Sequence, residues 1–187
     1  MSEIEVRIQD FGVTMWTMDY KMRILGIDPG LIRTGYGLIE AESPGAMRLV
    51  EAGVIRTKAG DHIQTRVADI FNSLSDIIRS EKPDVLVLEK IYSHYKHPAT
   101  AILMGHARGV VCLACGLYGV ELVNYPATRI KKAITGNGHA SKQQVQGSVK
   151  TLLRLRRLPE PADVSDALAM AISFVYMGGA RKKTVKF

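Results

Sequence analysis

The chain has 187 residues, of which 47% are hydrophobic and 23% charged, a balance typical of a globular domain and not of a disordered chain. Two cysteines exclude a disulfide-stabilised scaffold and indicate a reducing compartment. The longest uncharged apolar stretch, residues 109–119, is shorter than the roughly 18 to 20 residues of a membrane span. We therefore expect no membrane association.

The excess of positive charge is concentrated in one part of the chain. Lysine and arginine number 25 against 18 acidic residues, a formal net charge of +7. The 70 residues from Lys90 to Pro159 hold eleven basic residues and one acid, a net charge of +10. The other 117 residues hold 14 basic and 17 acidic residues, a net charge of −3. This asymmetry favours a basic face that binds a polyanion, and the alternative is a solvated surface without a partner.

The two ends of the chain differ in composition from the part between them. Residues 1–21 hold four acidic and two basic residues and lack the basic start and long apolar core of a secretory signal. We predict a poorly ordered extension or an upstream choice of start site, and the alternative is an added edge strand over 5–9. Residues 22–178 are predicted to form a single domain, followed by a basic tail over 179–187.

Three strands with short connections are predicted first. RILGID (23–28) is an apolar run that ends at a Pro-Gly break, which indicates a buried strand. TGYGLIEA (34–41) and MRLVEAGVIRT (47–57) alternate in polarity and are separated by a turn at 43–45. Because the connections are short, we expect an antiparallel meander.

Helices alternate with strands in the rest of the chain. Asp61 is predicted to cap a helix that runs to Ser80. Its inward face is predicted to consist of Ile63, Val67, Ile70, Phe71, Leu74, Ile77 and Ile78. DVLVLE (84–89) is a buried strand, predicted to be parallel to the first. The later elements are a helix over 98–117, a strand over 121–125, a helix over 126–134, a Gly-rich loop over 135–140, a helix over 141–153 capped by Ser141, and a helix over 163–177. This order predicts an α/β fold with helices on both faces of a mixed sheet.

Four acidic residues stand at the ends of these elements. Asp28 ends the first strand and Glu89 the fourth. Asp163 and Asp166 are three residues apart and share one face at the start of the last helix, although Asp163 alone is also a candidate helix cap. If the two strands are neighbours, the carboxylates meet and repel one another, and a divalent cation relieves that repulsion. Oxygen donors without a His or Cys set favour Mg²⁺ or Mn²⁺, and two ions about 4 Å apart would clamp a phosphoryl group for hydrolysis. Together with the basic block, the acids predict a metal-dependent nuclease.

Short motifs follow one another along the chain in a recognisable order. They are GIDPG (26–30), TGYG (34–37), IRTK (55–58), VLEKIY (87–92), GHARGVV (105–111), KK…GNG…SKQQVQ (131–146) and DVSDALAMAI (163–172). This ordered set resembles the RuvC family of Holliday junction resolvases, which belong to the RNase H-like superfamily. The resemblance covers residues 22 to about 174, and the two ends of the chain have no counterpart in the family.

The resemblance implies an RNase H-like fold, with a mixed five-stranded sheet of three antiparallel strands followed by parallel strands, flanked by helices. It implies a catalytic tetrad of Asp28, Glu89, Asp163 and Asp166. In the family pattern, Asp28 bridges two Mg²⁺ ions per subunit, and Glu89 and Asp166 complete their ligation, with Mn²⁺ able to substitute. Asp163 is the position at which the family also accepts His.

The resemblance also implies how DNA is bound. Lys131 and Lys142 match the basic residues of the family's DNA channel, and we expect Arg129 and Lys132 to bind phosphates beside them. Tyr92 matches an aromatic residue that stacks on a base near the junction crossover. Such stacking is worth roughly 1–3 kcal/mol per base and tolerates distorted, unpaired bases.

The activity implied is that of a structure-selective endodeoxyribonuclease, which resolves four-way DNA junctions in recombination and repair by paired symmetric nicks. A homodimer, cooperation with the RuvA–RuvB branch-migration complex and a location in the bacterial cytoplasm are implied with it. Actin-like ATPases and sugar kinases share the Gly-x-Asp-x-Gly opening, but they need a later Asp-x-Gly-Gly loop that this sequence lacks. A junction-binding protein without catalysis, and an RNase H-like nuclease that cuts RNA–DNA hybrids, are the remaining alternatives.

Three further features each allow a functional and a structural interpretation. Gly105 and Gly109 lie four residues apart on a predicted helix, where they suit either a homodimer surface or close packing within the chain. The loop TGNGHA (135–140) suits a phosphate cradle or a plain turn. Cys112 and Cys115 have no second cysteine pair, so we expect them to be packing residues and not a zinc or redox site.

Overall fold

The computed structural model describes residues 21–90 and 98–178, and the ten predicted elements are present there in the predicted order. The strands are β1 (Met22–Asp28), β2 (Arg33–Ser43), β3 (Ala46–Arg56), β4 (Val85–Glu89) and β5 (Glu121–Tyr125). The helices are α1 (Ile63–Glu81), α2 (Pro98–Tyr118), α3 (Ala127–Thr135), α4 (Lys142–Leu152) and α5 (Ala162–Tyr176). The predictions for residues 1–20, for Tyr92 and for the tail over 179–187 lie outside the described residues.

The five strands form one mixed sheet in the order β3-β2-β1-β4-β5. Strands β1, β2 and β3 pair antiparallel, as the meander predicts, whereas β4 pairs parallel with both β1 and β5. The register aligns Ile27 of β1 with Leu88 of β4, so the two central strands end side by side. The predicted mixed sheet and the predicted pairing of the first and fourth strands are therefore confirmed.

The sheet carries a layer of helices on each face. Alternate residues of a strand point to opposite faces, and β1 follows this rule closely. Ile24 packs against the layer of α3, α4 and α5, whereas Leu25 and Ile27 pack against the layer of α1 and α2. In β4 the same alternation sends Val87 to the first layer and Leu88 to the second. Continuing it by one residue places Asp28 and Glu89 on the face covered by α3, α4 and α5.

Helix α5 lies directly on β1 and β2 because small residues let it approach. A methyl group added at Gly26 would collide with the backbone carbonyl of Ala167, and one added at Gly35 would collide with that of Asp163. Eleven of the fifteen residues of α5 are buried, including the large side chains of Leu168 and Phe174. The close contact fixes the start of α5 against the ends of the central strands.

Two details at helix starts test the capping predictions. Ser141 caps α4 in a capping box, since its Oγ accepts from the Gln144 amide at 3.2 Å and its own amide donates to Gln144 Oε1 at 2.8 Å. The prediction for Asp61 is wrong. Helix α1 begins after His62, whose side chain makes no capping bond, and the amide of Asp61 donates to Lys58 O at 3.1 Å in a preceding turn. Ile63, predicted on the inward face, is 40% exposed because it lies on the first, solvent-facing turn.

Helix α2 corrects the expectation that no segment approaches the composition of a membrane span. Residues 101–118 have a mean hydropathy of 1.5, and only 22% of this window is buried. By length and composition alone the helix is apolar enough to cross a membrane, but one such helix is weak support for a span, since core and interface helices pass the same test. The sequence estimate failed because it counted only uncharged runs, whereas this window tolerates Arg108 in its middle.

Candidate active site

The ends of β1 and β4 bring two carboxylates together. Asp28 and Glu89 follow the paired residues Ile27 and Leu88, so they occupy neighbouring positions at the carboxyl edge of the sheet. The turn after Asp28 is held by Thr34, whose buried hydroxyl donates to Gly30 O at 2.8 Å. Both carboxylates line one cavity on the face covered by α3, α4 and α5.

Helix α5 delivers a third carboxylate to this cavity and holds the fourth beside it. Asp166 lines the cavity together with Asp28 and Glu89. Asp163, in the first turn of α5, does not line it, and its Oδ2 lies 3.4 Å from Nε of Arg33. The predicted four-acid cluster therefore consists of three acids that share a cavity and one that is paired with an arginine at its margin.

The cavity has a volume of about 350 Å³ and combines acidic and basic side chains over an apolar floor. The charged lining consists of Asp28, Glu89, Asp166, Lys131 and Lys142. Apolar residues complete it, namely Ala127, Ile130, Val145, Ala169 and Met170. Nζ of Lys142 lies 3.8 Å from Oδ2 of Asp166, so one lysine already faces one of the acids. A space of this kind suits a phosphodiester together with cations.

Burial and mutual repulsion disfavour negative charge in the cavity. The pKa of Asp28 is raised to about 6, first by burial and then by the nearby Asp166, Asp163 and Glu89, against a smaller opposing effect of Lys142. The pKa of Glu89 is raised by burial and by Asp166, and that of Asp166 is raised by burial, with Lys142 opposing the shift. The pKa values of the three acids stay raised although Lys131 and Lys142 lie in the same cavity, and a divalent cation would supply further positive charge.

The donor set fits a hard divalent cation. The cavity offers carboxylate oxygens and no His or Cys, the ligand chemistry of Mg²⁺ and Mn²⁺. As they stand, no three His, Cys, Asp or Glu side chains among residues 21–90 and 98–178 converge closely enough to hold a metal ion. Two of the four predicted ligands face basic groups instead, Asp163 towards Arg33 and Asp166 towards Lys142. Asp28, Glu89 and Asp166 share the cavity and are the residues that would hold such an ion.

The predicted DNA-binding residues divide into two groups. Lys131 and Lys142 line the cavity and lower the pKa values of its acids. Arg129 and Lys132 are exposed on α3 outside the lining, with Arg129 close enough to Tyr125 to affect its pKa. Tyr92 lies outside the described residues.

Two arginines near the site were not anticipated. Arg33 pairs with Asp163, and Arg108 of α2 donates to the backbone carbonyl of Glu89 at 2.7 Å and to Oδ1 of Asn124. Arg108 thereby links α2 to the end of β4 and to β5. The sequence could have indicated this role, because Arg108 is the one Lys or Arg in an otherwise apolar helix. A partly buried arginine in such a helix needs a polar partner.

The remaining sequence features resolve differently. No atom lies within 4 Å of a methyl group placed on Gly105 or Gly109, so these glycines make no close packing contact within the described part of the chain. In the loop over 135–140, Gly136 ends α3 with a left-handed φ of 77°, which favours the turn interpretation at that position. Cys115 is buried and Cys112 is exposed, both as free thiols.

Comparison with known proteins places this architecture in a class. The fold is that of the RNase H-like resolvases, a mixed five-stranded sheet with carboxylates at the ends of its central strands and on the helix that crosses them. The family model "Crossover junction endodeoxyribonuclease RuvC" matches residues 24–174. The chain therefore belongs to the RuvC family, a family of metal-dependent nucleases.

Individual relatives agree with this placement. A crossover junction endodeoxyribonuclease RuvC of Rhodopirellula baltica is 49% identical over 154 residues, which cover 82% of this chain and 86% of the relative. The enzyme of the same name from Brevibacillus brevis is 41% identical over 152 residues, 81% of this chain and 90% of the relative. Among solved structures, T. thermophilus RuvC in complex with a Holliday junction substrate superposes with a TM-score of 0.80 at 28% identity, covering 84% of this chain and 95% of that one.

Proposed function

We propose that the chain is a structure-selective endodeoxyribonuclease that resolves four-way DNA junctions in recombination and repair. The observation that carries this proposal is the shared cavity of Asp28, Glu89 and Asp166, flanked by Lys131 and Lys142, in a member of the RuvC family. The acids supply a metal site and the lysines supply phosphate contacts. The relatives carry the name of crossover junction endodeoxyribonucleases, which fits both halves of the cavity.

The cofactor in this proposal is Mg²⁺, two ions per subunit, with Mn²⁺ as a substitute. Asp28, the most deeply placed acid, would hold both ions, and Glu89 and Asp166 would each complete one. When bound, such ions supply a water of lowered pKa and neutralise charge on the phosphate. Asp163 completes the proposed catalytic tetrad from the margin of the cavity, where Arg33 now holds its carboxylate.

The basic residues of the chain would position the DNA. Lys131 and Lys142 would bind the oxygens of the phosphate to be cleaved, because they already face the acids across the cavity. Arg129 and Lys132, exposed on α3, would bind neighbouring phosphates. Tyr92 would stack on a base near the crossover, a role that rests on the family resemblance alone.

A homodimer is the proposed assembly, with α2 as its contact surface. The buried face of α2 is formed by Ala107, Val111, Ala114 and Cys115. On the opposite face, the helical period aligns Ile102, Gly109, Leu113 and Leu117, whose large side chains are 55% to 64% exposed. We propose that a second copy of this chain covers the exposed apolar face of α2. Such a dimer also suits the reaction, because two symmetric nicks require two cavities related by a two-fold axis.

The dimer is tested by Leu117→Asp, which places a charge on the exposed apolar face. We expect the wild type to have the mass of a dimer by light scattering, and the variant that of a folded monomer that no longer cuts junctions in pairs. Ile63→Asp is the matched control, since Ile63 is an exposed apolar residue on α1. A wild type that is monomeric at micromolar concentration would contradict the proposed dimer.

The function itself is tested by offering two substrates with Mg²⁺. We expect paired nicks in a synthetic four-way junction and no cleavage of an RNA–DNA hybrid, which would instead indicate another RNase H-like nuclease. Asp28→Asn is expected to abolish cleavage while junction binding persists. Retained cleavage by this variant contradicts the site assignment, and binding without any cleavage by the wild type indicates a junction-binding protein.

Two further parts of the proposal concern the cell. Cooperation with the RuvA–RuvB complex is expected, and the measurement is whether that complex raises the rate of junction cleavage by this chain. The bacterial cytoplasm is the proposed location, since the substrate is chromosomal DNA and both cysteines are free thiols.

A further inference from the structure

A second basic surface lies at the end of α4 that is remote from the cavity. Residues 154–157, which we name the arginine loop, hold Arg154, Arg156 and Arg157, all of them exposed. Within the described part of the chain, none of these three side chains makes an ion pair or a hydrogen bond. Counting Lys150 before the loop and Glu160 after it, residues 150–160 carry a net charge of +3. Three cations without internal partners are available to an external anion.

The backbone that displays these arginines is fixed. Leu153 before the loop is buried, and Leu155 within it packs against the core, so arginine and leucine alternate between solvent and interior. The amide of Arg154 donates to Thr151 O at 3.1 Å and that of Leu155 to Lys150 O at 2.9 Å, which together close the end of α4. A rigid display lowers the entropy cost of binding an anion.

Arg154 occupies a backbone conformation that favours glycine. Its φ is 52°, in the left-handed region, at the position after a helix end where glycine is the usual residue. No ion pair or hydrogen bond of its side chain within the described residues offsets this strain. Lys82, at the end of α1, has a similar φ of 46°, but it stands between Glu81 and Asp84 and not among other cations. A strained residue among unpaired cations points to a role outside the fold.

Helix α4 connects the arginine loop to the cavity. Lys142, Gln146 and Lys150 follow one another at intervals of four residues along one side of α4, and Arg154 follows just beyond the end of the helix. At a rise of 1.5 Å per residue, the span of α4 from Lys142 to Leu152 is roughly 15 Å, and the arginine loop begins two residues beyond it. For a duplex arm that runs along α4, with about 3.4 Å between successive phosphates of a strand along the axis, this span corresponds to about five base pairs.

We propose that the arginine loop binds backbone phosphates of a duplex arm about five base pairs from the bond that is cleaved. The proposal rests on the proposed junction substrate and extends it, since these contacts lie beyond the cavity. Phosphate contacts of this kind position an arm without reading its sequence. These contacts would bind the arm without requiring metal in the cavity.

The test compares junction binding over a range of salt concentrations in EDTA, where the junction is not cut. For the variant Arg154→Gly/Arg156→Gln/Arg157→Gln we expect the slope of log K against log salt to fall by about 2 to 3, and affinity near 0.1 M salt to fall roughly tenfold or more. Lys82→Gly is the matched control, because it removes one charge from a similar left-handed helix end on the other face of the sheet. Its slope and affinity are expected to match those of the wild type.

A second arm of the experiment separates binding from folding. Arg154→Gly alone is expected to raise or preserve the melting temperature while it weakens junction binding, a combination that lost structure does not produce. Replacing the phosphates about five base pairs from the bond that is cleaved with neutral methylphosphonates is expected to weaken binding by the wild type and to leave binding by the triple variant unaffected. Should Arg154→Gly fold poorly, Arg156→Gln/Arg157→Gln serves in its place.

The outcomes distinguish the two levels of the proposal. If the triple variant has the wild-type affinity and the wild-type slope of log K against log salt, the arginine loop does not contact DNA. An acidic protein surface would then be the alternative partner of the loop. A wild type that neither binds nor cuts four-way junctions overturns the proposed function and the loop contact with it. At saturating concentration, the triple variant is expected to cut at the wild-type positions, since its cavity is unchanged.

Discussion

Helices α5 and α2 are both strongly apolar, yet they meet opposite surroundings. Helix α5 buries eleven of its fifteen residues against β1, β2 and neighbouring helices, whereas only 22% of the apolar window of α2 is buried. The apolar surface of α5 is fully used within one chain, and that of α2 is used on one face only. Composition therefore shows how much apolar surface a helix has. Its contacts show how much of that surface is buried within the chain and how much is left for an assembly to bury.

The strongest test of this contrast is a substitution under α5. Gly26→Val places a side chain where the carbonyl of Ala167 lies, and neither backbone can move without separating helix from sheet. We expect a loss of stability of about 3 kcal/mol or more, which exceeds the usual range for overpacking because backbone atoms are involved. Chemical denaturation followed by circular dichroism measures it. A variant as stable as the wild type would show that α5 is less tightly seated than described.

A second test concerns pH in the layer of α3, α4 and α5. Because the folded pKa of Asp28 is about 6, above its ordinary value of 3.8, the folded state binds more protons than the unfolded state between these pH values. Stability of the metal-free protein is therefore expected to fall by about 3 kcal/mol as pH rises from about 4 to above 6. Urea unfolding in EDTA across this range measures the slope.

Variants identify the source of that slope. Asp28→Asn is expected to reduce the slope, with Glu89 and Asp166 supplying the remainder, and to be more stable than the wild type at pH 7 without metal. Asp69→Asn, which changes an exposed carboxylate on α1, is expected to keep the wild-type profile. Equal slopes in Asp28→Asn and wild type would mean that Asp28 is not the group responsible. Adding Mg²⁺ at pH 7 is expected to restore stability in the wild type only.

A smaller effect is expected at the start of α4. Ser141→Ala removes the hydroxyl that accepts from the amide of Gln144, which costs about 1 kcal/mol of stability. The same change moves the helix end that carries Lys142, so junction affinity is expected to fall slightly in parallel. Ser141→Asp is the matched variant, since it keeps a capping oxygen and should restore the melting temperature.

The smallest effect is expected on the exposed face of α2, where it tests whether a second helix contacts Gly105. Gly105→Ala meets open space in the single chain and is expected to stabilise the monomer by about 0.5–1 kcal/mol, through the higher helix propensity of alanine. This gain is measured in the Leu117→Asp background, where no dimer forms. If the proposed dimer forms and its helices meet closely at Gly105, the gain is expected to shrink when the substitution is made without Leu117→Asp. An equal gain in both backgrounds would place the contact elsewhere on α2.

Much of the fold was predictable because local patterns agreed with the global arrangement. The apolar runs of β1 and β4 indicated central strands, and the turn signals fixed the meander, so the adjacency of Asp28 and Glu89 followed. The capping box at Ser141 was visible in the sequence for the same reason. Asp61 failed as a cap because a capping side chain was inferred one residue too early, where the amide of Asp61 is used in another turn.

The sequence predicted which acidic residues lie near the site, but it did not predict which basic residue each acid contacts. Nothing in the spacing of Asp163 and Asp166 separates an acid that lines the cavity from one that faces Arg33, since the difference depends on where β2 begins. The link from Arg108 to the end of β4 joins residues nineteen positions apart through a helix that the sequence marks only as apolar. The exposed face of α2 escaped prediction because periodicity locates an apolar face without saying what covers it.

The order of the elements has a consequence for biosynthesis. Asp28 lies on the first strand and Asp166 on the last helix, so 138 positions of the chain separate two groups that share one cavity. Contacts between distant positions form late in folding, and a growing chain presents its early strands before α5 exists. A chain that ends before α5 therefore lacks part of the cavity proposed as the nuclease site. If Asp28 and Asp166 both belong to the catalytic site, cleavage of DNA is expected only from chains whose synthesis has passed Asp166.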